Sequence, residues 1–433
     1  MILNTVFRVL VSKPSVPNFV KKQQMKTTLL LGIFIGAGFT ASAQLVEDSI
    51  EMMPGYTNES YYSLANDEQA NIDNTNWDIA FDLGGFGSSV RTNEHVGTEV
   101  YEYTAGSDWT TVDTTGMSWN TFHNSETTWS LGSFDQAANP SDPFDIGWGD
   151  YNVVTHQIIG SRIYIVKLAS GDYKKVMIES LISGTYTFKH ADISGSNEVS
   201  NTITKSGYTD KNFVYYSITN DVIIDREPAN DSWDIVFTKY SGLLPQGVNY
   251  GVTGVLANNG VYVREANGVD PSSAIWTDYA VDSVINVIGW DWKSFNGTTF
   301  SYDITPDLSY FVQDKAGDIW HLLFTKFEGG STGKVVFSKE KVSTADVDDL
   351  GDVTSFGIYP NPADDQATVV YNTSSEEVNL SIIDLGGSIV MNEQLSEKGF
   401  VSHKISLNDL KAGTYFVRLS TTKTLTTAKL FVR

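Results

Sequence analysis

The chain contains no cysteine. That removes disulfides, thiolate-bound zinc, iron–sulfur clusters and thiol nucleophiles together, so stability has to come from packing. Positive charge is also scarce: 29 Lys and Arg stand against 52 Asp and Glu in 433 residues. Five of those basic residues and none of the acidic ones fall in residues 1–43, which leaves the remainder more acidic still. Such a surface repels phosphate backbones and anionic lipid heads, so no nucleic acid is expected as a partner. Long apolar runs are missing too; the best, Leu29 to Phe39, falls well short of the roughly 20 residues that span a bilayer core. What remains is an ordinary globular composition, 41% apolar and 19% charged, sufficient for two to four domains.

The short apolar run has a clear purpose. In "MKTTLLLGIFIGAGFTASAQ", starting at Met25, it follows Lys21, Lys22 and Lys26 and ends at the small-residue site "ASA" before Gln44. This is the layout of a secretory signal peptide, assigned to residues 1–43 with cleavage after Ala43 and Met25 as a second candidate start. The mature chain is therefore expected outside the cytoplasm.

Beyond Gln44 the periodicity is that of strands. "RIYIVKL", "YKKVMIESL", "TYTFKHADI", "GVYVREA" and "KVVFSKEKV" alternate or run apolar between Gly, Asn, Asp and Ser breaks, which predicts an all-β protein. The sequence also repeats itself. "YYSLANDEQANIDNTNWDIAF" parallels "YYSITNDVIIDREPANDSWDIVF", matching Tyr61 with Tyr215, Asn66 with Asn220 and Trp77 with Trp233. "IGWGDYN" parallels "IGWDWKSFN", pairing Trp148 with Trp290 and Tyr151 with Phe295, and "YIVKLASGDYKKV" parallels "YFVQDKAGDIWHL". All ten Trp lie in these two copies, five in each. Two successive β domains follow, residues 45–206 and 207–342, joined through the polar stretch Ser194 to Asp210.

On "WDIAF", "VRTN" (Val90 to Asn93), "GWGDYN" and "YIVKLASGDYKKV", the first copy resembles the HmuY-like family, extracellular β-rich proteins of Bacteroidetes whose founding members capture haem. The second copy keeps "WDIVF" and "YFVQDKAGDIW" but carries "YGVTGVLANNGVYV" in place of "VRTNEHVGTEVYEY". The motifs are chiefly scaffold, aromatic strand residues and the hairpin turns Gly171-Asp172 and Gly317-Asp318.

After the acidic linker "STADVDDLGDVTS" (343–355) come "FGIYPNPADDQATVVY", a Gly386-Gly387 turn, "LKAGTYFVRL" and "TTAKLFVR". Residues 356–433 resemble the type A C-terminal sorting domain of the type IX secretion system. The resemblance implies passage across the outer membrane and removal of the domain by a sortase-like peptidase. It also implies display on the cell surface or release. Physically the segment reads as about seven alternating strands, an immunoglobulin-like β-sandwich.

Haem capture, the function the resemblance implies, needs axial His or Met above an apolar slot. His95, Met117, His123 and His156 lie in the region where HmuY-like proteins place their ligands, and His123 and His156 are the candidate axial ligands. His123 sits in the Trp-rich loop "WNTFHNSETTW"; His156 falls opposite Phe300 of the second copy. The second copy has no His or Met between Trp233 and Tyr310, so it is not expected to hold haem in the same way. The ordinary alternative for each His is a hydrogen-bonded loop residue. A second class of function, glycan binding or adhesion, would use exposed Trp among Trp109, Trp119, Trp129, Trp276 and Trp292, most of which would ordinarily pack inside. A structural spacer without a small ligand is the third. Enzyme signatures fail: "GGSTG" at Gly329 to Gly333 has no helix after it, and the acidic clusters "NPSDPFD" and "DVDDLGD" lack calcium-loop spacing. No catalytic or metal site is assigned.

Overall fold

The Gly-Asp turns close as their sequence implies. Gly171 and Gly317 sit at φ 91° and 90°, a left-handed conformation that glycine takes without strain, and their amides donate to the carbonyls of Leu168 (2.8 Å) and Asp314 (3.0 Å). The computed structural model describes residues 45–343, 353–385, 387–421 and 424–433. The signal peptide expected over residues 1–43 and linker residues 344–352 lie outside them. Among the described residues there is no α-helix, only three-residue 3-10 turns between strands, so the all-β expectation holds.

The strand series can be laid out in two parallel runs. The chain opens with β1 (Val46–Glu51), β2 (Asn58–Ser63) and β3 (Asp67–Asp73), followed by β4 (Ile79–Asp82) and β5 (Val90–Thr92). Next come β6 (Glu99–Glu102), a long loop, the hairpin β7 (Gly149–Asn152) and β8 (Gln157–Gly160), then β9 (Tyr164–Lys167), β10 (Tyr173–Ile182) and β11 (Thr185–Asp192). The second half repeats the series. β12 (Val199–Thr204), β13 (Phe213–Ser217) and β14 (Val222–Ile224) parallel β1 to β3, while β15 (Ile235–Leu243) and β16 (Asn249–Ala257) parallel β4 and β5. β17 (Tyr262–Asn267), β18 (Lys293–Asn296), β19 (Ser301–Ile304), β20 (Leu308–Gln313), β21 (Ile319–Phe327) and β22 (Lys334–Ser343) parallel β6 to β11.

Pairing crosses between the halves. β4 pairs with β13 of the second half, and β15 pairs with β2 of the first, giving the equivalent sheets β14-β13-β4-β5 and β3-β2-β15-β16. β1 likewise adds to β22 at the edge of the sheet β1-β22-β21-β20-β17, as β12 adds to β11. One lobe is therefore the continuous run β4 to β14. The other is built from β15 to β22 and completed by the chain's first three strands, so the pairing does not follow a division at residue 206. A repeat identifies equivalent residues but not which copy they pair with, because Tyr62 and Tyr216 bury the same face in either arrangement.

Each lobe has its own core. Ile79, Phe81, Trp148, Tyr164, Phe188, Val214 and Tyr216 pack in the first; Tyr62, Ile235, Phe237, Trp292, Tyr310 and Phe337 pack in the second. Full burial of each such side chain contributes about 1.5–3 kcal/mol. The hairpins β7-β8 and β18-β19 align Trp148 with Trp292 rather than with Trp290: both are interior, both directly precede the first hairpin strand, and Trp290 is half-buried. A two-residue insertion in "GWDWK" conceals this in the sequence. "GGSTG" joins β21 to β22 as a turn, with Gly333 donating to Gly329.

The C-terminal segment forms seven strands: β23 (Val353–Tyr359), β24 (Gln366–Thr373), β25 (Val378–Asp384), β26 (Ile389–Leu395), β27 (Gly399–Ser406), β28 (Gly413–Ser420) and β29 (Leu425–Val432). They make a three-stranded sheet, β23-β24-β27, and a four-stranded one, β26-β25-β28-β29, around Val369, Tyr371, Leu380, Val417 and Leu430.

Candidate binding cavity between the two lobes

Crossed pairing brings equivalent residues of the two halves face to face. Tyr61 stacks edge-on against Trp233 (centroids 4.9 Å, 80°), and Tyr215 does the same against Trp77 (4.8 Å, 73°). The tyrosine hydroxyls meet at 3.4 Å. The backbone around each Trp is tied identically: Asn93 Nδ2 donates to the carbonyls of Asn74 and Trp77, and Asn258 Nδ2 to those of Asn230 and Trp233. A cavity of about 90 Å³ lies along this pseudo-two-fold junction, lined by both pairs and by Ala80 with its counterpart Val236. Trp129, from the loop after β6, closes one side; its Nε1 donates to the Ala257 carbonyl at 2.8 Å, crossing from one lobe to the other.

Each charged or titratable side chain at the junction has a polar partner, though not always a counter-charge. Arg226 is paired with Glu59, donates to the Asp73 carbonyl at 2.9 Å and lies 4.9 Å over the Tyr215 ring. Glu59 also accepts from Tyr61 (2.7 Å) and Thr238 (3.1 Å). Arg91 has no carboxylate partner but donates to four carbonyls, of Ser125, Thr128, Trp129 and Leu131, and sits 5.1 Å over Trp129. Burial lowers its pKa to about 10. Burial likewise pushes the Glu227 carboxyl up to about 8, although it accepts from the Phe213 amide (2.8 Å), so it is mostly protonated at neutral pH. Lys239 donates to the His95 carbonyl at 3.1 Å.

The two halves are not chemically identical at the cavity. Trp77 Nε1 donates to Asn74 Oδ1 at 2.6 Å. The counterpart of Asn74, Asn230, is instead engaged by Lys315 and Asn212, and Trp233 Nε1 is left without a partner. Arg91 on β5 is replaced by Leu256 on β16. Three further residues of the lining also carry a buried polar atom without a partner: Asn93 Oδ1, His95 Nδ1 and the Tyr240 hydroxyl. Burial holds His95 down to about 4, so its ring is neutral.

The two candidate haem ligands lie on separate elements. His123 Nδ1 contacts Glu94 Oε1 at 2.6 Å and Ser241 Oγ at 3.2 Å, beside the cavity without lining it. His156 is exposed in the β7-β8 turn, its Nδ1 2.7 Å from the Tyr151 hydroxyl. Its equivalence to Phe300 holds: both have positive φ, and both amides donate to the Asn four residues earlier. Met117 packs with Tyr101, Tyr103 and Val112. Of the five candidate platform tryptophans, Trp292 is interior, Trp109, Trp129 and Trp276 are half-buried, and Trp119 is 63% exposed. The cavity residues Arg91 and Asn93 stand in "VRTN" and Trp233 in "WDIVF", but nothing in one copy alone marks them as meeting the other. Among the described residues no cluster of His, Asp and Glu has the arrangement of a metal site.

Residues 357–433 match the family model described as the secretion system C-terminal sorting domain. The protein is thus type IX secretion cargo, exported to the cell surface or the extracellular space, as its C-terminal motifs implied. No curated protein matches the chain. Among solved structures it is similar to PorZ, an essential bacterial surface component of the type IX secretion system of Porphyromonas gingivalis, at 11% identity and TM-score 0.16. That match covers 69% of this chain and 42% of that one. It is also similar to dimeric latent PorU of the same organism, at 11% identity and TM-score 0.18, covering 79% of this chain and 31% of that one. The chain spans less than half the length of either, and TM-scores this low carry no argument about fold or activity.

Proposed function

We propose that this cargo protein is a binding protein rather than an enzyme, and that it holds an extracellular ligand in the inter-lobe cavity. The observation that carries the reading is the pseudo-symmetric cavity itself, walled at the junction of the lobes by the Tyr61–Trp233 and Tyr215–Trp77 pairs. Ala80 tests the location. An Ala80→Leu substitution enlarges a lining residue to slightly more than its counterpart Val236. Thermal-shift screening of the full chain against haemin, saccharides and amino acids should give at least one stabilising ligand, with the shift abolished in the variant. A shift retained by Ala80→Leu would move the site elsewhere.

Haem or haem-protein binding is the second reading, supported by the first half's resemblance to HmuY-like proteins and by the exposed His156 beside exposed Val153 and Val154. A porphyrin exceeds a 90 Å³ cavity, since drug-sized ligands occupy about 300–1,000 Å³, so haem would bind on the surface. Haemin titration should then produce a Soret band that weakens in His123→Ala or His156→Ala. Surface adhesion through Trp119 is the glycan variant of the same role. The sorting domain's partners are the type IX machinery and a sortase-like peptidase cutting in the 343–355 linker. The exported form is expected to lack residues 356–433 by mass.

A further inference from the structure

We infer that Lys315 and Asn230 form an intramolecular amide cross-link, a covalent tie that needs no cysteine. Lys315 Nζ contacts the side-chain oxygen of Asn230 and donates to its backbone carbonyl at 2.7 Å, so the amine lies against the carboxamide it would attack. Both partners are held in place by their own surroundings. Lys315 sits in the β20-β21 turn, closed by the Asp314 amide on Asp318 (3.0 Å) and the Gly317 amide on Asp314 (3.0 Å). Asn230 opens the three-residue 3-10 turn before Trp233; its carbonyl also accepts from Asn258 Nδ2 (2.9 Å), and its own Nδ2 donates to Asn212 Oδ1. The repeat contains a natural control. Lys315 in "YFVQDKAGD" aligns with Ala169 in "YIVKLASGD", so Asn74, the counterpart of Asn230, has no lysine opposite and instead accepts from the Trp77 indole.

The reaction balances without a co-reactant. Lys315 gives up a proton to become an amine, Nζ adds to Asn230 Cγ, and the Cγ–Nδ2 bond breaks. A lysine ammonium and a carboxamide thus become a secondary amide and an ammonium ion. Burial lowers the Lys315 pKa, which favours the nucleophilic amine. Asp231 Oδ1 lies 3.9 Å from Nζ on a side chain 95% exposed, placed to pass the proton to solvent. Exchange between a free amine and a carboxamide is very slow, so the contact has to supply the rate; well-oriented neighbours reach effective molarities of about 10⁵–10⁸ M. The bond joins positions 85 residues apart and fixes the connector between β14 and β15 to the second lobe. Closing that loop in the unfolded chain gives the benefit that a disulfide gives other exported proteins.

Mass spectrometry of the purified full chain is the test. The expected intact mass falls short of the sequence mass by one ammonia. The expected tryptic map joins the peptides carrying Asn230 and Lys315 in one branched species, with no cleavage after Lys315. Lys315→Arg keeps a cation against Asn230 but removes the nucleophilic amine, and Asn230→Ala removes the carboxamide. Each variant should show the full mass and separate peptides, with a melting temperature several degrees below wild type. Full mass in the wild-type chain with ordinary cleavage after Lys315 overturns the inference, and this result does not depend on any variant folding. A deficit of one ammonia with unbranched peptides overturns it too, because Asn230 would then have closed on the Asp231 amide as a succinimide. A branched species that persists in Lys315→Arg assigns the bond to another lysine and equally overturns it.

Discussion

Tyr61 and Tyr215, 154 residues apart in the chain, bring their hydroxyls within 3.4 Å of each other, each ring set against the tryptophan of the opposite half. They are the same residue of the repeat, met at the axis that relates its copies. The cavity, the buried charges and the crossing strands all gather around this contact, so most consequences of the architecture are measurable there.

The Arg226–Glu59 pair is the first. With Arg226 replaced by Met, Glu59 keeps Tyr61 and Thr238 but loses its counter-charge inside the junction. Urea unfolding should show a loss of about 3–5 kcal/mol, much of it recovered when Glu59→Leu is added, because the pair matters chiefly by not being left half-made. A loss below about 1 kcal/mol would mean that water reaches the site.

Glu227 sets an alkaline limit. Burial raises its carboxyl from an ordinary 4.5 to about 8, so the folded chain holds a proton that the unfolded chain releases between those values. Stability from this group is complete below about pH 4.5 and declines as pH rises toward 8. Glu227→Gln should flatten the slope of unfolding free energy against pH over that window. An unchanged slope would contradict the burial.

Much of this was legible in the sequence, and the remainder was not for identifiable reasons. The strand pattern and the seven-stranded C-terminal segment follow from period-2 alternation and from turn residues such as Gly171 and Gly317. The exchange of strands does not, because β2 and β13 carry the same "YYS" and either satisfies β4. The cavity inherits that ambiguity. Trp233 and Asn93 look like scaffold in their own copies, and Trp233 Nε1 is unpartnered because Asn230 is drawn away by Lys315 while Asn74 is not. The histidines that chemistry singled out, His123 and His156, occupy a loop and a turn, while His95, weighed but not chosen, is the one that lines the cavity.

His321 sets an acid limit. Its ring stacks on Phe311 at 4.4 Å, its Nε2 has no partner, and burial lowers its pKa from 6.5 to about 4. The unfolded chain takes up the proton first, so stability falls as pH drops from about 6.5 to 4. His321→Phe keeps the stacking and removes the titration. Thermal melts should show the variant equal to or above wild type at pH 7 and further above it at pH 4.5. Equal melting temperatures at pH 4.5 would contradict this account.

The crossing of strands between halves is the claim on which the cavity depends, and the absence of native cysteine makes it directly measurable. Glu47 on β1 lies opposite Ser338 on β22, whereas its repeat counterpart Ser200 lies opposite Lys189. A Glu47→Cys/Ser338→Cys chain should close a disulfide under mild oxidation, visible by non-reducing electrophoresis and mass, while Glu47→Cys/Lys189→Cys should keep free thiols. Closure of the second pair and not the first would show each half folding on itself, and the shared cavity would not exist.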